Sequence, residues 1–396
     1  MMIQQNLFNV QDEINTPVGY KKTEVGIIPE DWIIRSIGDF APLQRGFDLP
    51  SRLRKDGLYP VIYSNGFVNT HTEYKVKGPG ILTGRSGTIG KVHYVEQNYW
   101  PHNTSLWVTK FNEVDPKFIY FLFSKIGFER FLSGSGVPTL NRNDAHSFMI
   151  QLPKSIEEQK KIARVLSDTD ALISELEKLI EKKQAIKTAT MQQLLTGKTR
   201  LPEFALREDG TPKAYKDSEL GQIPEDWNVT SIGNTLTIKH GKSQKLVETN
   251  NGKFPILATG GQIGWAKEYL YNKPSVLIGR KGTINKPRFL DQPFWTVDTL
   301  FYSEIDDKYC AKFLFYKFCS IDWNNYNEAS GVPSLNAKTI ENVHISVCLL
   351  DEQKEIVKIL NVIDDEITRL KDKRRKLFNI KKSMMQELLT GKTRLV

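Results

Sequence analysis

Gly26-Ile27-Ile28-Pro29-Glu30-Asp31-Trp32 returns 195 residues later as Gly221-Gln222-Ile223-Pro224-Glu225-Asp226-Trp227. At the same offset Gly84-Arg85-Ser86-Gly87-Thr88-Ile89 returns as Gly279-Arg280-Lys281-Gly282-Thr283-Ile284, and Ser135-Gly136-Val137-Pro138-Thr139-Leu140-Asn141 as Ser330-Gly331-Val332-Pro333-Ser334-Leu335-Asn336. One residue is then dropped near 349. From there Glu158-Gln159-Lys160 matches Glu352-Gln353-Lys354, and Leu194–Leu201 (LLTGKTRL) matches Leu388–Leu395 unchanged. A unit of nearly 200 residues is used twice, too few copies for a solenoid. A pseudo-twofold molecule made from one chain is expected. The amino end also imitates the linker between copies, with Thr16-Pro17 and Tyr20 matching Thr211-Pro212 and Tyr215. The unit is therefore cyclic, and the two chain ends are expected close together.

Each copy has two parts. The first carries short β-branched and aromatic runs punctuated by Gly, Pro and Asn. Strands are expected at Gly80–Thr83, Val92–Val95, Leu106–Thr109, Pro274–Ile278 and Leu300–Tyr302, and helices over Pro116–Leu132 and near Ala311–Ile321. That makes a compact α+β domain. The second part is a long helix: Glu157 to Leu195 holds no Pro or Gly, and Gly197 and Gly391 follow the last apolar pairs as C-caps. The expected pairing stripe is Val165, Leu172, Leu176, Leu179 and Ile186 in one copy, widened by Ile162, Leu166, Ile173 and Ile180. In the other it is Ile359, Ile363, Leu370, Leu377 and Ile380, within a run that also has Ile356, Leu360, Ile367 and Met384. At 1.5 Å per residue each helix is a rod of roughly 58 Å, longer than its own domain would cover, so the two helices are expected to pair. Leu201–Leu220 carries Pro202, Gly210 and Pro212 and reads as irregular linker.

The chain has 396 residues with 55 Lys+Arg against 46 Asp+Glu, a net +9, which makes a polyanion a natural partner. No apolar run approaches a membrane span, and the amino end lacks a basic start with an apolar stretch, so a cytoplasmic protein without membrane contact is expected. Cys310, Cys319 and Cys348 show no CxxC spacing, which excludes a zinc ribbon. Motifs that look catalytic fail. Gly84–Lys91 resembles a phosphate loop, but GxxxxGK[ST] needs Gly where Arg85 stands and Ser or Thr where Val92 stands, and the stretch reads as a hairpin turn. Glu30-Asp31 and Glu225-Asp226 read as solvated turns beside core tryptophans. None of the six histidines recurs at the repeat offset, so a site shared by both copies cannot use one. No catalytic residue, metal site or cofactor is expected.

What remains is a basic face with variable loops. Lys239 to Arg288 holds ten Lys or Arg against Glu248 and Glu268, and Arg45 to Lys91 holds eight against Asp48, Asp56 and Glu73. Gly46/Gly241, Gly57/Gly252 and Pro60/Pro255 frame a loop whose contents differ almost wholly between the copies. Arg142-Asn143-Asp144 likewise faces Ala337-Lys338-Thr339. A constant frame with changing Arg, Asn, Gln and Lys suits reading of base edges. Drift of solvated loops gives the same contrast, and the two readings stand side by side here. The DNA-contact candidates are Arg45, Arg52, Arg54, Lys55, Arg85, Lys91, Asn141 and Arg142 in the first copy. Their counterparts are Lys242, Gln244, Lys245, Arg280, Lys281, Lys286, Asn336 and Lys338 in the second.

From Tyr20 to Leu395 the chain resembles the specificity subunit of a type I restriction–modification system. The carriers are Ile28–Trp32, Gly136–Asn141, Glu158–Ala163 and the LLTGKTRL helix ends, each doubled in order. The resemblance implies an N-terminal tail (1–19), target-recognition domains at 20–153 and 215–348, spacer helices at 154–200 and 349–396, and a linker at 201–214. The fold it implies is α+β, with two target-recognition domains separated by an antiparallel coiled coil. It also implies a non-catalytic chain that reads a split site in double-stranded DNA, docks two adenine-methylating modification subunits and is joined by translocating restriction subunits. Unlike loops predict unlike half-sites, with no palindrome. Major-groove faces recur about every 34–36 Å along one side of DNA, a span such a rod accommodates. The rivals are an enzyme with an unrecognised motif, a stand-alone DNA-binding regulator, and the specificity subunit of a related methyltransferase-nuclease system.

Overall fold

The computed structural model describes residues 16–133 and 139–395, so Ser135–Pro138 of the repeated SGVPTLN motif lie outside the described residues. The chain divides into two compact units, residues 1–177 with 372–396 (unit 1) and residues 178–371 (unit 2). The division falls inside both long helices, so each unit owns part of each.

In unit 1 the run Gly80–Gly84 is a central strand, buried along its whole length and apolar except for Thr83. It lies in a four-stranded antiparallel sheet ordered Leu43–Arg45, Ser105–Val108, Gly80–Gly84, Val92–Val95. A second sheet places the hairpin Tyr59–Tyr63/Gly66–His71 beside the short parallel strand Trp100–Pro101. Helix Pro116–Ile126 starts where Asp115 accepts the Phe118 N–H at 2.8 Å and stops at Gly127, φ +70°. It ends before Leu132 because the left-handed glycine breaks it, and a short 3₁₀ turn Phe128–Phe131 follows. Unit 2 repeats the plan, with a sheet ordered Leu236–Lys239, Leu300–Ile305, Ser275–Gly279, Arg288–Leu290, the hairpin Phe254–Ala258/Gly261–Ala266, and helix Ala311–Ser320. The linker is less irregular than its composition predicts. Pro202–Ala205 forms a helical turn, and Tyr215–Ser218 pairs with Gly221–Pro224.

The long helices span Ile156–Leu194 and Leu350–Leu388, 39 residues each. In unit 1 their buried seam runs through Ile162, Leu166 and Thr169, then the half-buried Ile173 and Leu176. In unit 2 it runs through Ile356, Leu360 and Ile367, with Ile363 and Leu370 half-buried between and beyond them. Steps of 3 and 4 mark a two-position heptad seam. The expected stripe is corrected accordingly: Leu172, Leu179, Ile186, Ile359 and Ile380 are exposed, at 52%, 38%, 41%, 37% and 51%. A strict seven-residue row follows only one seam position, and the row chosen lies on the flank. Val165, Leu176, Ile363, Leu370 and Leu377 are half-buried. The apolar seam residues Ile162, Leu166, Ile173, Ile356, Leu360 and Ile367 are all among the apolar positions read from the sequence, whereas its polar members are not. Lys183 and Lys187 reach Glu366 (2.8 Å) and Asp364 (2.6 Å) in unit 2, and Lys381 reaches Asp170 (2.5 Å) in unit 1. These pairings run antiparallel within each unit. Lys187–Asp364 and Asp170–Lys381 are the same pair under the repeat.

The motifs that carry the repeat close each unit on itself. In unit 2 the Arg200 guanidinium donates to Asp226 (2.8 and 3.1 Å) and Glu352 (2.7 and 3.0 Å), and Trp227 Nε1 donates to Glu352 at 3.0 Å. In unit 1 Arg394 holds Asp31 (2.9 and 2.7 Å) and Glu158 (2.6 and 2.9 Å). The solvated-turn reading of Asp31 and Asp226 is thereby amended: each carboxylate receives an arginine fork. Burial alone would raise the Asp226 carboxyl, but hydrogen bonds from Arg200 and Lys213 hold it below the ordinary range. Gly197 and Gly391 sit at φ +72° and +75°, where a Cβ would stand 2.5 Å from Pro224 and 2.6 Å from Pro29. Only glycine fits. Tyr20 donates its hydroxyl to the Gly391 carbonyl at 2.9 Å, as Tyr215 does to Gly197 at 2.9 Å. The described N-terminal and C-terminal segments thus meet. Leu388 and Leu389 complete the core of unit 1, and Met191, Leu194 and Leu195 that of unit 2.

Candidate nucleic-acid interface

The IPEDW and LLTGKTRL motifs serve closure of each unit, whereas the candidate contact residues lie on the loops. In unit 1 they converge on the hairpin loop Gly84–Lys91. Arg85 is fixed on three sides: its N–H donates to the Thr104 carbonyl (2.8 Å), its Nε to the Asn103 carbonyl (3.0 Å), and its own carbonyl accepts from Leu140 (2.9 Å). Arg45 Nη2 lies 3.1 Å from Asp48, and the Asn103 side-chain amide donates to the same carboxylate. Gly46 permits this approach, because its chain runs against Pro101 and His102 with no room for a Cβ. His102 stacks on Tyr63 at 4.0 Å, and both burial and the nearby Arg54 charge lower its pKa.

Unit 2 builds the same corner with other side chains. Arg280 N–H donates to Thr299 (2.8 Å), its Nη1 to the Asp298 carbonyl (3.2 Å), and its carbonyl accepts from Leu335 (2.9 Å). Gly282 N–H donates to Pro333, which docks the Ser330–Asn336 loop on the glycine-rich one. Lys242, in place of Phe47, is held by Thr296 and Trp295, and Gly241 is as crowded as Gly46. Lys281 and Lys286 stand exposed on the loop between the two strands.

Not every candidate joins this corner. The Lys55 carbonyl accepts from the Thr72 N–H, and the Leu53 carbonyl lies 3.0 Å from His71 Nε2, so Arg52 and Lys55 belong to a loop tied to the far end of the hairpin. Gln244 caps a turn through its carbonyl, and Lys245 lies exposed in that turn. Asn141 and Asn336 do something the sequence did not disclose. Each is an N-cap, its side-chain oxygen accepting from Asn143 or Lys338 N–H at 3.0 Å. The oxygen that base reading would use is committed to the helix, whose first residues present Arg142 and Lys338 to solvent. Lys91 is exposed beside His93, whose pKa burial lowers first and the Lys91 charge lowers further. Asp48 and Asn103/Asp298 were missed. A clue existed, since Asn103-Thr104 recurs as Asp298-Thr299 at the repeat offset. Among the described residues no helix is long and apolar enough to cross a membrane.

A profile of the type I restriction modification DNA specificity domain matches residues 29–188 and again 224–377. The chain is 27% identical to the type I restriction enzyme MjaVIII specificity subunit of Methanocaldococcus jannaschii, over 93% of this chain and 94% of that one. It is 22% identical to the EcoDI specificity subunit of Escherichia coli, over 84% and 81%. Its fold is similar to the crystal structure of a type I restriction–modification S subunit from M. genitalium. The TM-score there is 0.65 at 18% identity, covering 90% of this chain and 96% of that one.

Proposed function

Because the chain belongs to the type I restriction–modification DNA specificity family, we propose that each unit reads one half of a split, asymmetric duplex site. The chain then directs adenine-methylating modification subunits and translocating restriction subunits to that site. The observation that carries the reading is the doubled loop corner. One pinned arginine, Arg85 or Arg280, sits in the same frame of hydrogen bonds in both units, while its neighbours change from Arg45, Asp48 and Asn103 to His240, Ser243 and Asp298. Invariant arginine at a fixed place suits phosphate, and changing side chains around it suit bases. The chain supplies no catalytic group of its own on this reading, and acts in the cytoplasm where the duplex is.

Apolar side chains left outside the helix seam support docking of modification subunits. In unit 2 these are Leu179, Ile186, Ile359 and Val362, and in unit 1 Leu172, Phe378 and Ile380. Two modification subunits per chain is the stoichiometry proposed, to be read as the mass of the co-purified complex.

Mapping methylated adenines in the source genome with and without the gene tests the reading. A split motif with two unlike halves should vanish on deletion, and the purified chain alone should neither methylate nor cut DNA. A symmetric footprint, or catalysis by the isolated chain, overturns it. Two substitutions separate the roles. Arg280→Ala should weaken binding to every sequence alike and reduce the slope of log K against log salt by about one. Lys338→Ala should relax a single position in one half-site, costing about 1–3 kcal/mol there. A uniform loss for Lys338→Ala across all single-base variants removes it from base reading.

A further inference from the structure

Both recognition hairpins carry a β-bulge at the same place. In unit 1 Val61 pairs with Asn69 and Ile62 with Phe67, so Val68 stands opposite no residue. In unit 2 Ile256 pairs with Gly264 and Leu257 with Gln262, which leaves Ile263 unpaired in the same way. A bulge re-aims the side chain it inserts, and here it turns an aliphatic one outward: Val68 is 55% and Ile263 51% exposed. Scattered apolar residues on a surface are ordinary. These two are not scattered. The neighbours change freely between copies, Phe67 to Gln262, Asn69 to Gly264 and Thr70 to Trp265, yet the bulge keeps a β-branched aliphatic in each.

The hairpin turns rest on the basic loop. In unit 2 the Arg288 guanidinium donates to the Thr259 carbonyl at 2.8 Å, and a Cβ at Gly282 would lie 3.8 Å from Thr259 Oγ1. In unit 1 a Cβ at Gly87 would lie 3.7 Å from Ser64 Oγ. Each bulge therefore follows closely on a turn that abuts Arg85 and Ser86 or Arg280 and Lys281, a surface whose charge suits a duplex. The apolar group that B-DNA presents in its major groove is the thymine C5-methyl. A side chain ending at Cγ, as in Val68, is too short to part a stacked base step, and Ile263, whose type does serve as a wedge elsewhere, occupies the same bulge position as Val68.

We propose that Val68 and Ile263 are specificity-determining residues, each contacting the methyl group of one thymine, Val68 in one half-site and Ile263 in the other. This rests on the reading of the chain as a two-half-site DNA reader. The test uses the complex with its modification subunits, on duplexes carrying the mapped motif with each thymine replaced singly by deoxyuridine. One position in each half-site should lose about fourfold in affinity, the worth of one methyl leaving an apolar contact. Val68→Ser should abolish that sensitivity in one half-site only and Ile263→Ser in the other, whereas Val68→Thr, which keeps one methyl, should retain part of it. A deoxyuridine series that is flat, or unchanged by both variants, overturns the inference. So does a loss in both variants that is equal on all duplexes and accompanied by straighter DNA, since that marks wedges. Preference for the motif over a scrambled duplex is measured alongside. No preference at all sinks the underlying reading, while preference with a flat series sinks only the methyl contact.

Discussion

Arg200→Ala should lower the melting temperature of unit 2 by on the order of 10 °C. The Arg200 side chain is 6% exposed and that of Glu352 3%, so the substitution leaves a carboxylate out of water with the Trp227 N–H as its remaining donor in this cluster. Breaking such a pair from one side costs about 3–5 kcal/mol. For a unit of this size each kcal/mol shifts melting by roughly 2–4 °C. Asp226 suffers less, because Lys213 still reaches it at 2.7 Å. Arg200→Lys should recover less than half of the loss, since an ammonium cannot fork onto two carboxylates at once. Arg394→Ala should cost an amount similar to Arg200→Ala, because it strands Glu158, also 3% exposed, while its other partner Asp31 is 61% exposed and returns to water. Calorimetry of the three variants checks this, and a shift below about 2 °C for Arg200→Ala would show that the clasp contributes little to stability.

Lys317→Leu should stabilise unit 2 below pH 7 and lose that advantage as pH rises. Lys317 is buried, and burial pushes its pKa down from 10.5 to about 7. Its Nζ donates to the Leu195 carbonyl (2.5 Å) and to Ser346 Oγ (3.0 Å). Between pH 7 and 10.5 the unfolded chain binds the proton that the folded chain does not, so stability rises with pH through that window. Below pH 7 the whole penalty is present, of order several kcal/mol. Leucine removes it but strands two acceptors at about 1–2 kcal/mol. The net gain should be about 1–3 kcal/mol at pH 6.5, vanishing or reversing near pH 10. The repeat vouches for the shape: Leu122 occupies the equivalent place in unit 1, fully buried. Parallel melting curves for wild type and variant from pH 6.5 to 10 would refute the assignment.

What the sequence disclosed and what it hid divide along contact range. The first long helix was legible to within a residue at each end, because an uninterrupted run closed by a left-handed glycine is a local signal. The hairpin at Gly84–Lys91 was equally local. The polar positions of the helix seam were not, since Thr169, Lys183 and Lys187 find their acids or backbone oxygens only once the helices are formed. The repeated motifs flagged the fold correctly while concealing their work. Arg394 and Asp31 lie 363 residues apart in sequence, and nothing near either residue announces the other. Asn141 and Asn336 looked like base readers because composition registers the amide but not the helix N–H that occupies its oxygen. The pinned arginines came from the loop pattern, whereas Asp48 and Asn103, which orient Arg45, emerged only from the geometry.

The clasp also fixes an order of events during synthesis. Unit 2 is a continuous stretch, 178–371, and can close as soon as it leaves the ribosome. Unit 1 begins first but waits, because Leu388, Leu389 and Arg394 arrive after everything else it needs. Until then Glu158 has no guanidinium and the amino-terminal core lacks a wall. The earlier-made half is therefore the later one to mature, and for the time taken to translate about 200 residues it is the half exposed to chaperones and proteases.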